Sequence, residues 1–279
     1  MMQVYDDVSF RISKIVTRRY STSFSIAVSF LNTDPRNAIY SIYGFVRFAD
    51  EIVDTFHDFE KDKLFEKFEC DLSEALQKGI SLNPVLHSFQ KTVKKYGIPY
   101  ELISSFMNSM KSDLLKTGNY NDAEFGDYIY GSAEAVGLMC LCVFTGGDRT
   151  LYDELRYPAM KLGAAFQKIN FLRDLRSDVF DLKRNYFPGV DIASFNHDVK
   201  SRIINDINSD FSEALYGIKK LPHNCKLPVL IAYYYYRHLL VKIRNTPPEE
   251  LITRRISVNS LKKFFLLNKA YLAVKMKIV

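Results

Sequence analysis

The sequence predicts an all-α protein, a single-domain helical bundle over residues 1–279 with a central active-site cavity. Three observations predict it. Long segments repeat apolar residues at the helical period, and strand-like alternation is scarce. Two of those segments also carry a polar stripe on an otherwise apolar helix, which places a site between helices rather than on an outer surface.

Helices are expected at 11–30, 35–56, 60–78, 84–96, 99–116, 122–145, 150–178, 197–217, 225–245 and 257–275. In the first, "YSTSFSIA" sets Ser21, Thr22 and Ser23 before an apolar stretch, as hydroxyls that cap a helix do. The second follows "NTDPRNA", with Asp34 as N-cap and Pro35 at the first helical position. Asn83-Pro84 and Gly97-Ile98-Pro99 bound the next segments. Segment 122–145 contains "GSAEAVG", where Gly131 and Ala135, and Ala133 and Gly137, are four apart and suit close helix packing. Tyr130, just before it, reads either as a donor near the site or as an interfacial tyrosine. Gly146-Gly147, Pro188-Gly189, Pro222 and Pro247-Pro248 separate the remaining helices. Tyr233 to Tyr236 point around their helix, so most of them are expected in the core.

The two stripes carry the chemistry. In "AFQKINFLRDLRSD", residues 165–178, the residues Gln167, Asn170, Asp174 and Asp178 fall at spacings of three, four and four. At about 100° per residue they lie within roughly 80° of one another. Gly163 joins the same face. A solvated face usually pairs Lys with Glu at i,i+4, whereas Asp174 and Asp178 repel. In "IYSIYGFVRFADEIVD", residues 39–54, Tyr43, Arg47, Asp50 and Asp54 repeat the construction. Carboxylates on facing helices form an oxygen-only cage suited to Mg²⁺ or Mn²⁺, which share their remaining positions with phosphate oxygens. Arg47 and Arg173 would supply fork-shaped donors to those phosphates. No histidine lies in either stripe.

Composition excludes several classes. The chain is 47% hydrophobic and 25% charged, enough for a sizeable core. A net charge of +6 comes with no nucleic-acid signature, and no Gly-rich nucleotide loop is present. No signal peptide and no long uninterrupted apolar run is seen, so no membrane span is expected. Cys70, Cys140, Cys142 and Cys225 form no C-x-x-C pair and are expected as reduced core residues.

"YGFVRFADEIVD", and "FQKINFLRDLRSD" followed by "RNYFP", resemble the two signatures of the squalene and phytoene synthase family. "YSTSFSIA", "YIYGSAEAVGLM", and "YYYYRHLLVKI" followed by "RRISV" are similar to its other segments, so the resemblance runs from about residue 10 to 265. Glu51 stands where many members carry a second consecutive Asp. The resemblance implies the isoprenoid (terpenoid) synthase fold and head-to-head condensation of two prenyl diphosphates through a cyclopropyl intermediate. The nearest group expected is bacterial phytoene synthase, joining two geranylgeranyl diphosphates into phytoene for carotenoid biosynthesis. The alternative is a C30 synthase making squalene or dehydrosqualene from farnesyl diphosphate; a terpene cyclase and a non-catalytic membrane-associated scaffold are the readings of other classes. It further implies catalytic roles for Asp50, Asp54, Asp174, Asp178, Arg47 and Tyr130, and Mg²⁺ or Mn²⁺ on Asp50, Asp54, Asn170, Asp174 and Asp178. Diphosphate would rest on Tyr43, Arg47, Gln167 and Arg173, under a flap of Tyr20, Ser21, Thr22 and Ser23. Tyr186 and Tyr236 would contact substrate, and the small residues of "GSAEAVG" would leave room for a long hydrocarbon. NADPH is not expected unless the product is squalene.

The expected protein is cytoplasmic, a monomer or weak homodimer that binds no nucleic acid and touches the inner membrane surface peripherally. Lys262, Lys263, Lys269 and Lys277 fall within about 120° of one another on a helix, with Phe264, Phe265, Tyr271 and Leu272 on another side. The segment reads as an interfacial helix or as a bundle helix with a solvated lysine face.

Overall fold

The structure, a computed structural model, describes residues 2–116, 118–190, 195–276 and 278. The first expected helix is two. α1 (Met2–Tyr20) starts well before residue 11 because tertiary contacts hold its first turns. Tyr5 Oη donates to Ser81 O at 2.6 Å, and His87 Nε2 reaches Asp6 at 2.8 Å. The chain then breaks at Ser21, the N-cap of α2 (Thr22–Val28), whose Oγ accepts from Phe24 N at 3.4 Å. α3 (Thr33–Asp54) is preceded by Asn32 as N-cap, not Asp34. The carboxylate of Asp34 is instead held by Lys95 at 2.6 Å, and Pro35 sits within the first turn, where its missing N–H costs nothing.

α4 (Lys61–Lys78) and α5 (Pro84–Tyr96) end at Gly79 and Gly97, both in the left-handed conformation. α6 (Tyr100–Leu115) leads through β1 (Gly118–Asn119) to α7 (Asp122–Ile129). A π turn over Tyr130–Glu134 joins α7 to α8 (Ala135–Thr145). The combined helix Asp122–Thr145 is long and apolar enough to cross a membrane, but 56% of its most apolar stretch is buried within the bundle. α9 (Arg149–Arg176) ends in a second π turn, Ser177–Asp181, so Asp178 lies beyond the regular α-helix on which its stripe was projected. β2 (Arg184–Asn185) pairs with β1 in parallel. α10 (His197–Lys220), α11 (His223–Asn245), α12 (Pro248–Thr253) and α13 (Ser260–Lys275) complete the chain. α12 was not expected: Pro248, read as a breaker, occupies a first-turn position where proline initiates.

Two apolar clusters form the core. One gathers α3 to α6 and α8, with Phe45 stacked on Phe89 at 4.0 Å. The other gathers α9 to α13 around Ile207, Phe211 and Leu239. Small residues let the walls between them approach. A Cβ on Gly163 of α9 would lie 2.6 Å from the carbonyl oxygen of Ala133, in the first π turn. That obstacle is backbone and cannot rotate away. Gly163→Ala is therefore expected to destabilise the protein by about 1–3 kcal/mol. Chemical denaturation checks it; an unchanged midpoint would mean the helices part freely.

The four cysteines are free; Cys142 and Cys225 are buried as expected, Cys140 is half-buried, and Cys70 is exposed. Of the tyrosine run only Tyr233 is fully buried. Tyr234 and Tyr235 lie under Lys269 and Lys263 of α13, at 4.7 and 5.7 Å.

Candidate active site

A cavity of about 860 Å³ runs between α2, α3, α8, α9, α11 and α13, and both stripes line it. Tyr43, Arg47, Asp50 and Asp54 come from α3; Gln167, Asn170, Arg173, Asp174 and Asp178 come from α9 and its π turn. Tyr20, Ser21, Thr22, Ser23, Tyr186 and Tyr236 line it too. Tyr130 does not. Tyr128, Ser132, Ala133 and Val136 hold the cavity side of that helix, and residue 130 is turned about 200° from residue 128. Beyond the polar end the walls are apolar and aromatic, with Phe24, Phe144, Phe166 and Leu155.

Arginines meet most of the carboxylates. Arg47 Nη1 donates to Asp50 at 2.5 Å, and Nη2 pairs with Glu51, which is buried. Its guanidinium stacks over the Tyr20 ring at 4.3 Å, while its Nε is buried with no acceptor among the described residues. Glu51 thus acts here as an anchor for Arg47, which explains a glutamate at that place. On α9, Arg173 Nε donates to Asp174 at 3.1 Å, and Arg255 Nε reaches the same carboxylate at 2.6 Å. Asn170 accepts from Tyr236 Oη at 3.3 Å and donates to Gln167 at 3.3 Å. Tyr236 is fixed by stacking on Phe166 at 3.9 Å.

Asp178 has no hydrogen-bond or ion-pair partner among the described residues. Burial, then the charges of Asp174 and Asp54, push its carboxyl up to about 8. Burial and Asp54 likewise push Asp50 up to about 7, against the opposing pull of Arg47. Burial raises Tyr43 to about 12, so its hydroxyl stays protonated as a donor.

The sequence reading missed a second layer behind Asp54. Arg184 Nη1 donates to Asp54 at 2.8 Å, and its Nη2 donates to Asp113 O at 2.8 Å. Asp113 is buried and accepts from Tyr128 at 2.5 Å, Tyr120 at 3.0 Å and Tyr186 at 3.3 Å. Its carboxyl is pushed up to about 6 by burial, against the opposing charge of Arg184. Lys183, at φ 55 the one non-glycine residue in the left-handed region among those described, turns the chain so that Arg184 faces inward. Arg184 stands first in "RNYFP", so a signal existed. Asp113, in "SMKSDLLK", looks like any solvated helix residue.

Among the described residues no three acidic, histidine or cysteine side chains converge tightly enough to hold a metal ion by themselves. The donors nevertheless fit a hard divalent cation. They are oxygens only, burial and then their mutual repulsion raise Asp50 and Asp178, and Asp178 has no ion-pair partner among the described residues.

The profile of the squalene/phytoene synthase family matches residues 17–262. The chain belongs to that family. Phytoene synthase, chloroplastic, of an Oncidium hybrid cultivar is 27% identical over 275 residues, covering 92% of this chain and 66% of that protein. Phytoene synthase 2, chloroplastic, of Solanum lycopersicum is 26% identical over 274 residues, covering 92% of this chain and 87% of its own length. Among solved structures, a dehydrosqualene synthase in complex with ligand superposes with a TM-score of 0.84 at 20% identity, over 98% of this chain and 99% of that one. Squalene synthase HpnC from Alicyclobacillus acidocaldarius gives 0.76 at 20% identity, over 91% and 97%. These structures establish the all-α terpenoid synthase fold. The sequence relatives named are chloroplastic, and nothing separates a bacterial from a plant origin for this chain.

Proposed function

We propose that the protein joins two prenyl diphosphates head to head into a linear hydrocarbon, with farnesyl diphosphate as substrate and a C30 product. The observation that carries the chemistry is the pairing of two carboxylate–arginine stripes at one end of a cavity whose remaining walls are apolar. A diphosphate binds at the polar end, and its hydrocarbon tail fills the rest. The buried Nε of Arg47, which has no acceptor among the described residues, supplies a donor for a phosphate oxygen, and Arg173 supplies a second guanidinium. Asp50, Asp54, Asn170, Asp174 and Asp178 would hold Mg²⁺ or Mn²⁺, and a bound ion would supply the Lewis-acid neutralisation that lets diphosphate leave. The allylic cation left behind is sheltered from water by Phe24, Phe166 and Phe171, whose ring faces stabilise positive charge. Tyr43 and Tyr236 face the same space and orient substrate. Tyr128, in place of Tyr130, is the hydroxyl on this side of α7.

The C30 assignment is supported by whole-chain superposition on solved proteins named dehydrosqualene synthase and squalene synthase, and by bulky Phe144, Leu155 and Leu221 at the end remote from the carboxylates. The second reading, phytoene from two C20 substrates, is favoured by the names of the sequence relatives. Incubation with farnesyl or geranylgeranyl diphosphate, Mg²⁺, and with or without NADPH separates them by product identity. Squalene appearing only with NADPH, or dehydrosqualene without it, is the expected class of result. Phytoene from the C20 substrate alone would install the second reading, and no hydrocarbon from either would remove the enzymatic one.

A further inference from the structure

α13 carries apolar residues on its outward side as well as on the side that packs against the bundle, yet only the latter is covered. Leu266, Ala270 and Ala273 are buried, while Leu261, Phe264, Phe265, Tyr271 and Leu272 are exposed, Leu261 at 74% and Phe265 at 64%. A contiguous exposed apolar ridge marks a surface for a partner or for lipid. Leu261, Phe265 and Leu272 fall within roughly 40° of one another on the helix, so they form one outward ridge. Lys262 and Lys269 follow on one flank of the ridge, and Phe264 and Tyr271 on the other. The expectation of a shared lysine face is corrected here. Lys263 turns inward over Tyr235 at 5.7 Å and lines the cavity, and Lys277 lies outside the described residues. The outward face is aromatic and aliphatic, with lysines at its edge.

The ridge is continuous with the cavity. Phe264 both lines it and is exposed, at 63%, and so does Ile26 of α2, at 39%. The cavity therefore reaches the surface between α2 and α13, and apolar side chains rim that opening.

We infer that the outward ridge of α13 docks on an anionic lipid bilayer and seats this opening against the membrane, so that a hydrocarbon product passes into lipid without crossing water. The passage rests on the proposed function; the docking does not. Charge selects the occupant. From Arg255 onward the sequence carries Arg255, Lys262, Lys263, Lys269, Lys275 and Lys277 and no acidic residue. Basic side chains beside an apolar ridge complement anionic headgroups over an acyl interior. A second copy packed antiparallel on the ridge would set the lysine flank against its own copy, a like-charge contact that opposes that pairing.

Flotation of the full chain with phosphatidylcholine vesicles, and with vesicles containing phosphatidylglycerol, tests this without substrate. The protein should float with the anionic vesicles, and less as salt rises. The variant L261S/F265S/L272S, none of whose positions lines the cavity, should lose at least about tenfold in partitioning while keeping its melting temperature and its turnover of detergent-dispersed substrate. Should that variant fold poorly, K262E/K269E should remove the preference for anionic vesicles. Undiminished flotation of both variants overturns the inference. So does a wild-type dimer that becomes monomeric in the ridge variant with lipid binding unchanged, because the ridge then belongs to a second copy. Vesicle binding with no product from any diphosphate would sink the proposed function and leave the docking standing.

Discussion

Asp178→Asn is expected to stabilise the metal-free protein at alkaline pH and to remove most of its turnover. The carboxyl of Asp178 is pushed up to about 8 by burial and by Asp174 and Asp54, whereas an aspartate in the unfolded chain titrates near 4. Between those values the folded protein keeps a proton that the unfolded chain has released. The stability this contributes is full below about pH 4 and is lost as pH rises through about 8. Above that point the site carries a buried charge that has no ion-pair partner among the described residues and is only partly offset by Arg184. Asparagine keeps the shape and removes the charge. The variant should lie close to wild type at about pH 4 and exceed it by several kcal/mol, about 5 at most, at about pH 9. Turnover should fall by roughly 10²–10³, the scale of losing one preorganised electrostatic contact. Thermal melts at the two pH values and a single turnover assay check it. An equal stability difference at both pH values, or retained turnover, would make Asp178 an ordinary surface aspartate. Asp174→Asn should behave differently in the melt. Asp174 accepts from both Arg173 and Arg255, so its loss leaves the largely enclosed Arg173 without its carboxylate and should destabilise.

The helical period made the bundle and both stripes legible, because each stripe is a local pattern on one helix. Tyr43, Arg47, Asp50 and Asp54 needed only the 100° rotation per residue to be grouped. Asp178 shows where that projection ends: a π turn changes the rotation, and no residue type in "RSDVFD" announces it. Tyr130 failed for a related reason, since it opens the other π turn and a family-like segment alone did not say which of two tyrosines faces inward. What joins the stripes was not local at all. Arg184 meets Asp54 across 130 positions of sequence and Asp113 across 71, and no periodicity encodes such contacts. The exposed apolar ridge of α13 was visible as composition, but its orientation depended on which face α11 and the cavity had already taken.

Arg184→Met is expected to have the largest effect on stability of any single change around the site. Both the Arg184 and Asp113 side chains are almost wholly buried, at 6% and 4% exposed. The guanidinium is the cation nearest to Asp113, at 3.8 Å, and it also ties Asp54 of α3 to the end of α6. Removing one member of a buried pair leaves the other uncompensated, which costs about 3–5 kcal/mol. Methionine retains most of the volume, so the loss would report charge and hydrogen bonds, not a cavity. Arg184→Lys should recover only part of it, because a single ammonium cannot reach the Asp54 carboxylate and the Asp113 carbonyl with separate N–H groups as the forked guanidinium does. Asp113→Asn should partly relieve Arg184→Met when the two are combined, since a neutral amide no longer needs a cation, while its oxygen still accepts from one tyrosine and its NH2 can donate to the hydroxyl oxygen of the other. A double-mutant cycle in urea measures this, with a coupling of about 1–3 kcal/mol expected. Additive losses would mean that Arg184 serves Asp54 alone. Turnover should fall in step if the proposed function holds, because Asp54, freed from Arg184, no longer holds its place in the cavity that Asp174 and Asp178 also line.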